Sequence, residues 1–363
     1  MWSAVANRLL LNSLKIVYRR PVIPLTGLLR NPNGIIVRSP SGPGQYLFSM
    51  PALWALVKLH PSTPLVLILS GEGQDLPCPL PAHCEVVRID FSRLRASGRL
   101  HRRSRRVLGQ YGADLFVDFE GAGEPAMMAA WAANTPVRAT FRCPGLTPFF
   151  NCEVVVDLPR CRDDIDRYLR LVAALGAEAE DRSLDLDLGA DELARARDFL
   201  RLVGLRKDEV LVGLDIGPPA DGSDLDMELL MKLIVALERR VSNVRFLVTH
   251  STGRPLLPKM RHLLAREPLV VVEPGLRHQS ALVAQCALLI ARQTDLFSVA
   301  CALGVPALLL RGSREKELVR PPFDVAVRTA VVPARDEETW PHDAVRAATE
   351  LLSAGLAAGY VDE

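Results

Sequence analysis

Ile35-Ile36-Val37-Arg38-Ser39-Pro40-Ser41-Gly42-Pro43-Gly44-Gln45 is a short apolar run that breaks into a loop of small residues. A run of this kind reads as a strand buried on both faces, and the loop that follows reads as a turn into a helix. That helix is expected over Pro51–Leu59. Glycine lets a backbone approach a ligand closely, and a helix entrance offers N–H groups and a positive dipole end. Ser41, Gly42, Gly44 and Gln45 are therefore candidate binding residues for an anion or a sugar. An ordinary strand-to-helix turn is the other reading of the same composition.

Working outward, the same alternation recurs. Strands are expected at Gly34–Val37, Leu65–Leu69, Glu85–Ile89, Leu115–Phe119 and Glu153–Val156, with helices at Leu94–Gly109 and Pro125–Asn134 between them. Asp163–Leu175 spaces Ile165, Tyr168, Leu169, Val172 and Leu175 as one face of a helix. An acidic, irregular stretch follows, and the pattern then restarts. Helices are expected at Ala190–Val203, Asp226–Arg240, Gln279–Cys286, Leu296–Leu303 and Ala344–Ala354. Strands are expected at Glu209–Ile216, Val244–Thr249, Val270–Val272, Leu288–Ala291 and Ala307–Leu310. Strands rich in Val, Ile and Leu that alternate with helices imply parallel sheets covered on both faces. The expected organisation is a basic extension over 1–33, an α/β lobe over 34–176, a linker over 177–189 and a second α/β lobe over 190–363. The two Rossmann-like lobes would face a cleft, with ligands in the crevice at the carboxyl ends of the strands. No sequence motif repeats between the halves.

Composition bounds the class. The 363 residues are 49% hydrophobic and 24% charged, with a mean hydropathy of +0.14, as in a folded, soluble protein. No run reaches the roughly 18 apolar residues of a spanning helix. Seven scattered cysteines without a CxxC pair argue for reduced thiols in a cytoplasm rather than a disulfide framework or zinc site. The other histidines show no metal-ligand spacing.

The net charge of +2 conceals an asymmetry. Residues 1–71 hold seven Lys and Arg and no carboxylate, which leaves −5 for the remainder. Met1 to Arg20 mixes apolar and basic residues, so as a helix it suits the surface of an anionic membrane. A packed helix, a loose extension and an organelle presequence share that composition; a secretory signal fits less well, since Asn12 and Lys15 break the apolar run. A second cluster crowds Arg93, Arg95, Arg99, His101, Arg102, Arg103, Arg105 and Arg106 into 14 residues. Arg102 and Arg103 are candidates for gripping the phosphates or carboxylates of an anionic glycolipid, or the membrane surface; a solvated helix face is the alternative. Nucleic acid is disfavoured, since no aromatics interleave and no binding motif is present.

Two further strand ends carry polar turns. Leu214-Asp215-Ile216-Gly217-Pro218-Pro219-Ala220 opens the second lobe, and Ala291-Arg292-Gln293-Thr294-Asp295-Leu296-Phe297-Ser298 enters a helix that Thr294 is suited to cap. In order and spacing, four stretches together resemble glycosyltransferase family 9, the ADP-heptose:lipopolysaccharide heptosyltransferases of GT-B fold. They are Ile35 to Leu53, Asp114 to Gly121, Tyr168 to Gly176 and Cys286 to Pro306. The resemblance runs from about residue 34 to the end. It implies metal-independent, inverting transfer of a sugar from a nucleotide-diphosphate donor, ADP-heptose or similar, to a lipopolysaccharide or other glycan acceptor, with no cofactor. It also implies a donor site over Gly217, Pro218, Thr294, Asp295 and Ser298.

The departures from the family are as informative. Its first loop ends in Gly-Asp, the carboxylate being the base for the acceptor hydroxyl, whereas this chain has Gly44-Gln45. An amide orients a hydroxyl but does not take its proton near pH 7. The family's Asp-Ser/Thr-Gly-x-x-His turn becomes Gln293-Thr294-Asp295-Leu296-Phe297-Ser298. The loop Pro218 to Asp226 lacks the cation that the family brings to the leaving diphosphate, and Glu124 stands where a basic residue is common. Asp118 and Asp215, at strand ends, are the candidate substitute bases. Two outcomes stay open: a divergent transferase, acting on a lipid or a protein acceptor, and an inactive GT-B scaffold that binds or assembles, since fold does not fix function.

Overall fold

A computed structural model describes residues 29–70, 79–91, 98–121, 123–143, 149–157, 161–179, 181–184, 186–215, 227–249, 253–271, 275–292, 294–312, 322, 326–332 and 340–357. The chain divides into two compact units, with the main division between Ser183 and Leu184.

The first unit carries β1 (Ile35–Arg38), α1 (Pro43–Leu59), β2 (Leu65–Leu69), β3 (Cys84–Arg88), α2 (Gly98–Gly109), β4 (Leu115–Asp118), α3 (Gly123–Ala133), β5 (Val137–Phe141), β6 (Cys152–Val154) and α4 (Asp164–Ala173). Its six strands lie in the order β3-β2-β1-β4-β5-β6, and every pair is parallel. The central strands are buried along their whole length, which is why they read as continuous apolar runs. Ile36, Ile68, Phe116, Ala129 and Phe149 anchor a core on one face of this sheet.

The second unit carries α5 (Ala190–Leu202), β7 (Val210–Asp215), α6 (Met227–Arg240), β8 (Val244–Thr249), α7 (Gly253–Leu263), β9 (Leu269–Val271), α8 (Leu276–Val283), β10 (Leu288–Ala291), α9 (Asp295–Ala302), β11 (Ala307–Gly312), β12 (Val327–Val332) and α10 (Trp340–Ala357). Its sheet runs β12-β11-β10-β7-β8-β9, again all parallel. Counted from its own first strand, this is the order of the first sheet. The topology repeats although no sequence motif does. A core of Val212, Leu233, Phe246, Ile290 and Leu352 holds α6 and α10 against it.

Three elements escape the sequence reading. β5 contains Arg138, a charge that argues against a buried strand. Arg138 is 1% exposed, and its guanidinium donates to the Phe149 and Thr135 carbonyls at 2.5 and 2.6 Å. α7 contains Pro258, a breaker by local rules, and β12 is an edge strand, exposed or half-buried over Val327 to Val331.

The start of α1 is also corrected. The helix begins at Pro43 rather than Pro51, because proline at the first helical turn loses no hydrogen bond. Pro51 lies inside the helix, where its missing N–H costs one bond, and packing compensates: residues Tyr46 to Leu53 are all buried. Gly44 and Gln45 thus belong to the first turn of a helix, not to a free loop.

Among the described residues no cysteine forms a disulfide, and burial pushes the Cys286 thiol up to about 12. No described helix is long and apolar enough to cross a membrane.

Candidate functional site

β1 and β4 are neighbours at the point where the strand order of the first sheet reverses, the position at which open α/β sheets bind ligands. Their last residues, Arg38 and Asp118, are register partners, so both side chains emerge together. Arg38 Nη1 donates to Asp118 Oδ1 at 3.0 Å and to Oδ2 at 2.9 Å. The two side chains are 3% and 0% exposed. The backbone N–H groups of Glu120 and Gly121 also donate to Asp118 Oδ1, at 3.0 and 3.3 Å. Asp118 therefore ends the strand and aims the turn after it.

Gly121 completes that turn. Its φ is +64°, and a Cβ there would sit 3.0 Å from Phe141 Cδ2 and 3.1 Å from Thr140 Oγ1. Gly121→Ala is expected to cost at least about 1–2 kcal/mol for the left-handed backbone alone, read as a lower urea midpoint.

The turn directs Glu120 toward the loop after β1. Glu120 Oε1 accepts a hydrogen bond from the Ser41 hydroxyl at 2.8 Å, and Glu120 Oε2 lies 3.6 Å from Arg38 Nη2. The Glu120 side chain is 25% exposed, and Ser41 is exposed. Nothing in the pattern of the Asp114–Gly121 stretch singles out Glu120. Only the adjacency of β1 and β4 brings it to Ser41, 79 positions away.

Gln45, in the first turn of α1, is half-buried. Its Oε1 accepts from the Tyr168 hydroxyl at 2.8 Å. Tyr168 is itself fixed by edge-on packing with Phe119 and Phe141, at centroid distances of 5.5 and 6.0 Å. The Arg167 guanidinium covers Phe141 at 4.4 Å. Gly44 is buried beside Gln45, and Gly42 precedes the helix with an extended backbone.

Arg102 and Arg103 are exposed on α2, with Arg105 and Arg106, while Ser104 and Leu108 face inward. Arg105 stacks over Trp131 at 5.1 Å. Arg93 and Arg95 lie outside the described residues.

The second sheet has an equivalent reversal between β7 and β10. Asp215 ends β7 as the register partner of Ala291. It is 2% exposed and accepts from the Thr249 hydroxyl at 2.8 Å. The N–H of Arg292, itself buried, donates to the Asp215 carbonyl at 3.1 Å. Thr294 caps α9, its hydroxyl accepting from the Phe297 N–H at 3.3 Å. Asp295 is exposed at the first turn, and Ser298 is 4% exposed one turn on. Gly217, Pro218, the rest of the loop to Asp226 and Gln293 lie outside the described residues. Among the described residues no group of three or more His, Cys, Asp or Glu side chains is placed to hold a metal ion.

Two all-parallel six-stranded sheets of identical order define a protein of the GT-B fold. More narrowly, the fold is shared with glycosyltransferase family 9. The glycosyl transferase family 9 structure from Veillonella parvula matches with a TM-score of 0.67 at 16% identity, over 90% of this chain and 98% of that one. E. coli ADP-heptose lps heptosyltransferase II matches at 0.62 and 17%, over 88% and 99%. E. coli heptosyltransferase WaaC with ADP-2-deoxy-2-fluoro heptose matches at 0.59 and 16%, over 88% and 99%. No protein-family model and no curated protein sequence matches the chain.

Proposed function

We propose that the protein is a glycosyltransferase of the heptosyltransferase-like type. In this reading residues 34–176 bind the acceptor and residues 190–363 bind a nucleotide-diphosphate sugar, ADP-heptose or similar. The acceptor is a lipopolysaccharide or another cell-surface glycan. Transfer is direct and metal-independent: an acceptor hydroxyl displaces the nucleoside diphosphate at the anomeric carbon, which inverts. Work at a glycolipid suits a cytoplasmic protein that is peripheral to the inner membrane. Residues 1–33, mostly outside the described residues, and the arginine face of α2 are then its contacts with that surface.

The observation that carries this reading is the placement of polar side chains at the reversal points of both sheets. Ser41, Gln45 and Glu120 stand at the first, and Asp215, Arg292 and Thr294 at the second. Of these, the Ser41, Gln45 and Thr294 side chains suit sugar hydroxyls or phosphate oxygens at the helix starts.

A second reading, a scaffold that binds without catalysis, is favoured by one feature. The Gln45 side-chain carbonyl accepts from Tyr168, and an amide has no usable basicity near pH 7 whichever way it turns.

Calorimetric titration with ADP, UDP, GDP and their sugar conjugates separates the two. Micromolar binding of one nucleotide is the expected result and names the donor class. Absence of binding at millimolar concentration would remove the transferase reading.

A further inference from the structure

We propose that Glu120 is the catalytic base of the first unit, supplying the carboxylate that position 45 lacks; the inference rests on the transferase reading above. Two buried polar atoms start the argument. Glu120 Oε2 and Arg38 Nε are enclosed by protein, and neither forms a hydrogen bond with the described residues. Buried orphan groups of this kind need an explanation in a native fold. The nearest cation atom, Arg38 Nη2, stands 3.6 Å from Oε2, close enough for attraction and too far for a hydrogen bond.

The distribution of charge explains why. Arg38 meets two carboxylates but gives the paired hydrogen bonds of Nη1 to Asp118. Asp118 thereby accepts four hydrogen bonds, two from Arg38 and two from backbone N–H groups, and has no exposed surface. Glu120 is the other carboxylate of the cluster, held close by a cation that makes no hydrogen bond to it. Its backbone is pinned by Asp118, so its side chain is aimed before any ligand arrives, which is what a positioned base requires. Its Oε1 already accepts from Ser41, and a carboxylate oxygen has room for a second donor.

In the step this implies, the acceptor hydroxyl donates to Glu120 Oε1 while its oxygen attacks the anomeric carbon. The new C–O bond forms as the bond to the diphosphate breaks. The nucleoside diphosphate leaves with the electron pair, and the hydroxyl proton passes to Glu120, which returns it to water. Gln45 orients the acceptor, and Ser41 holds the carboxylate in place. Arg38 Nη2, 3.6 Å from Oε2, attracts the carboxylate and limits its movement.

Wild type, Glu120→Gln and Glu120→Asp would be assayed for nucleoside diphosphate release. The donors are ADP-heptose and the UDP- and GDP-hexoses, with deacylated lipopolysaccharide core as acceptor; donor affinity is measured separately by calorimetry. Glu120→Gln should lower kcat about 10²–10⁴-fold with donor affinity unchanged. It should also erase the fall in kcat toward low pH, and Glu120→Asp should keep that fall and part of the rate. An active wild type matched in kcat and pH profile by Glu120→Gln overturns this inference and leaves the transferase reading standing. A wild type that binds a nucleotide but releases none from any donor also overturns it, and supports the scaffold. A wild type that binds no nucleotide removes both.

Discussion

Asp118→Ala should destabilise the first unit by about 3–5 kcal/mol, the range for removing one partner of a buried ion pair. Arg38 is 3% exposed, so the variant leaves a buried guanidinium without its hydrogen-bonded carboxylate, with Glu120 3.6 Å away. The backbone N–H groups of Glu120 and Gly121 lose their acceptor at the same time. Urea denaturation would measure the loss. Hydrogen exchange would show it in peptides of β1, β4 and the turn at 119–121. The doubly apolar variant Arg38→Met with Asp118→Leu should recover most of the stability, since a buried pair seldom outperforms well-packed apolar residues. It should not recover function, because Glu120 loses both its tether and its cation. A loss below about 1 kcal/mol in the single variant would mean that Arg38 relaxes to solvent or pairs with Glu120 instead, and that the cluster is not rigid.

Phe297→Ala should cost the second unit about 3–5 kcal/mol. Phe297 has no exposed surface. It lies one turn into α9, and its N–H is the one capped by Thr294. An alanine there leaves a cavity beneath the start of the helix at the reversal point. Loss of exchange protection should appear in α9 and β10 and leave β1 and β4 unchanged, because each unit has its own core. Unchanged stability would show that α9 repacks, in which case the polar turn from Arg292 to Asp295 is not held by the core.

The α/β class was legible from the chain because a strand buried on both faces must be apolar throughout, as Leu65–Leu69 and Leu288–Ala291 are. A helix that covers such a sheet with one face in water is one-sided, as Asp164–Ala173 is, whereas α1 is buried all round over Tyr46 to Leu53. Local rules failed where tertiary packing pays a local cost. Arg138 sits in a strand because nearby carbonyls take its donors, and Pro51 and Pro258 sit in helices that packing holds. The site was legible only in part. Strand ends and small-residue loops pointed to Ser41, Gln45, Asp118, Asp215 and Thr294. Spacing along the chain says nothing about which of two nearby carboxylates is buried.

What pattern alone carries is therefore the alternation of elements and the positions where strands break, since both follow from short-range periodicity. What folding alone decides is partnership. Arg38 and Asp118 are 80 positions apart and meet because β1 and β4 pair at the reversal of strand order. That pairing buries Asp118 against its cation and leaves Glu120, two residues later, half-buried beside Ser41. Burial and hydrogen bonding, which distinguish an anchor from a base, are properties of the assembled sheet rather than of either segment.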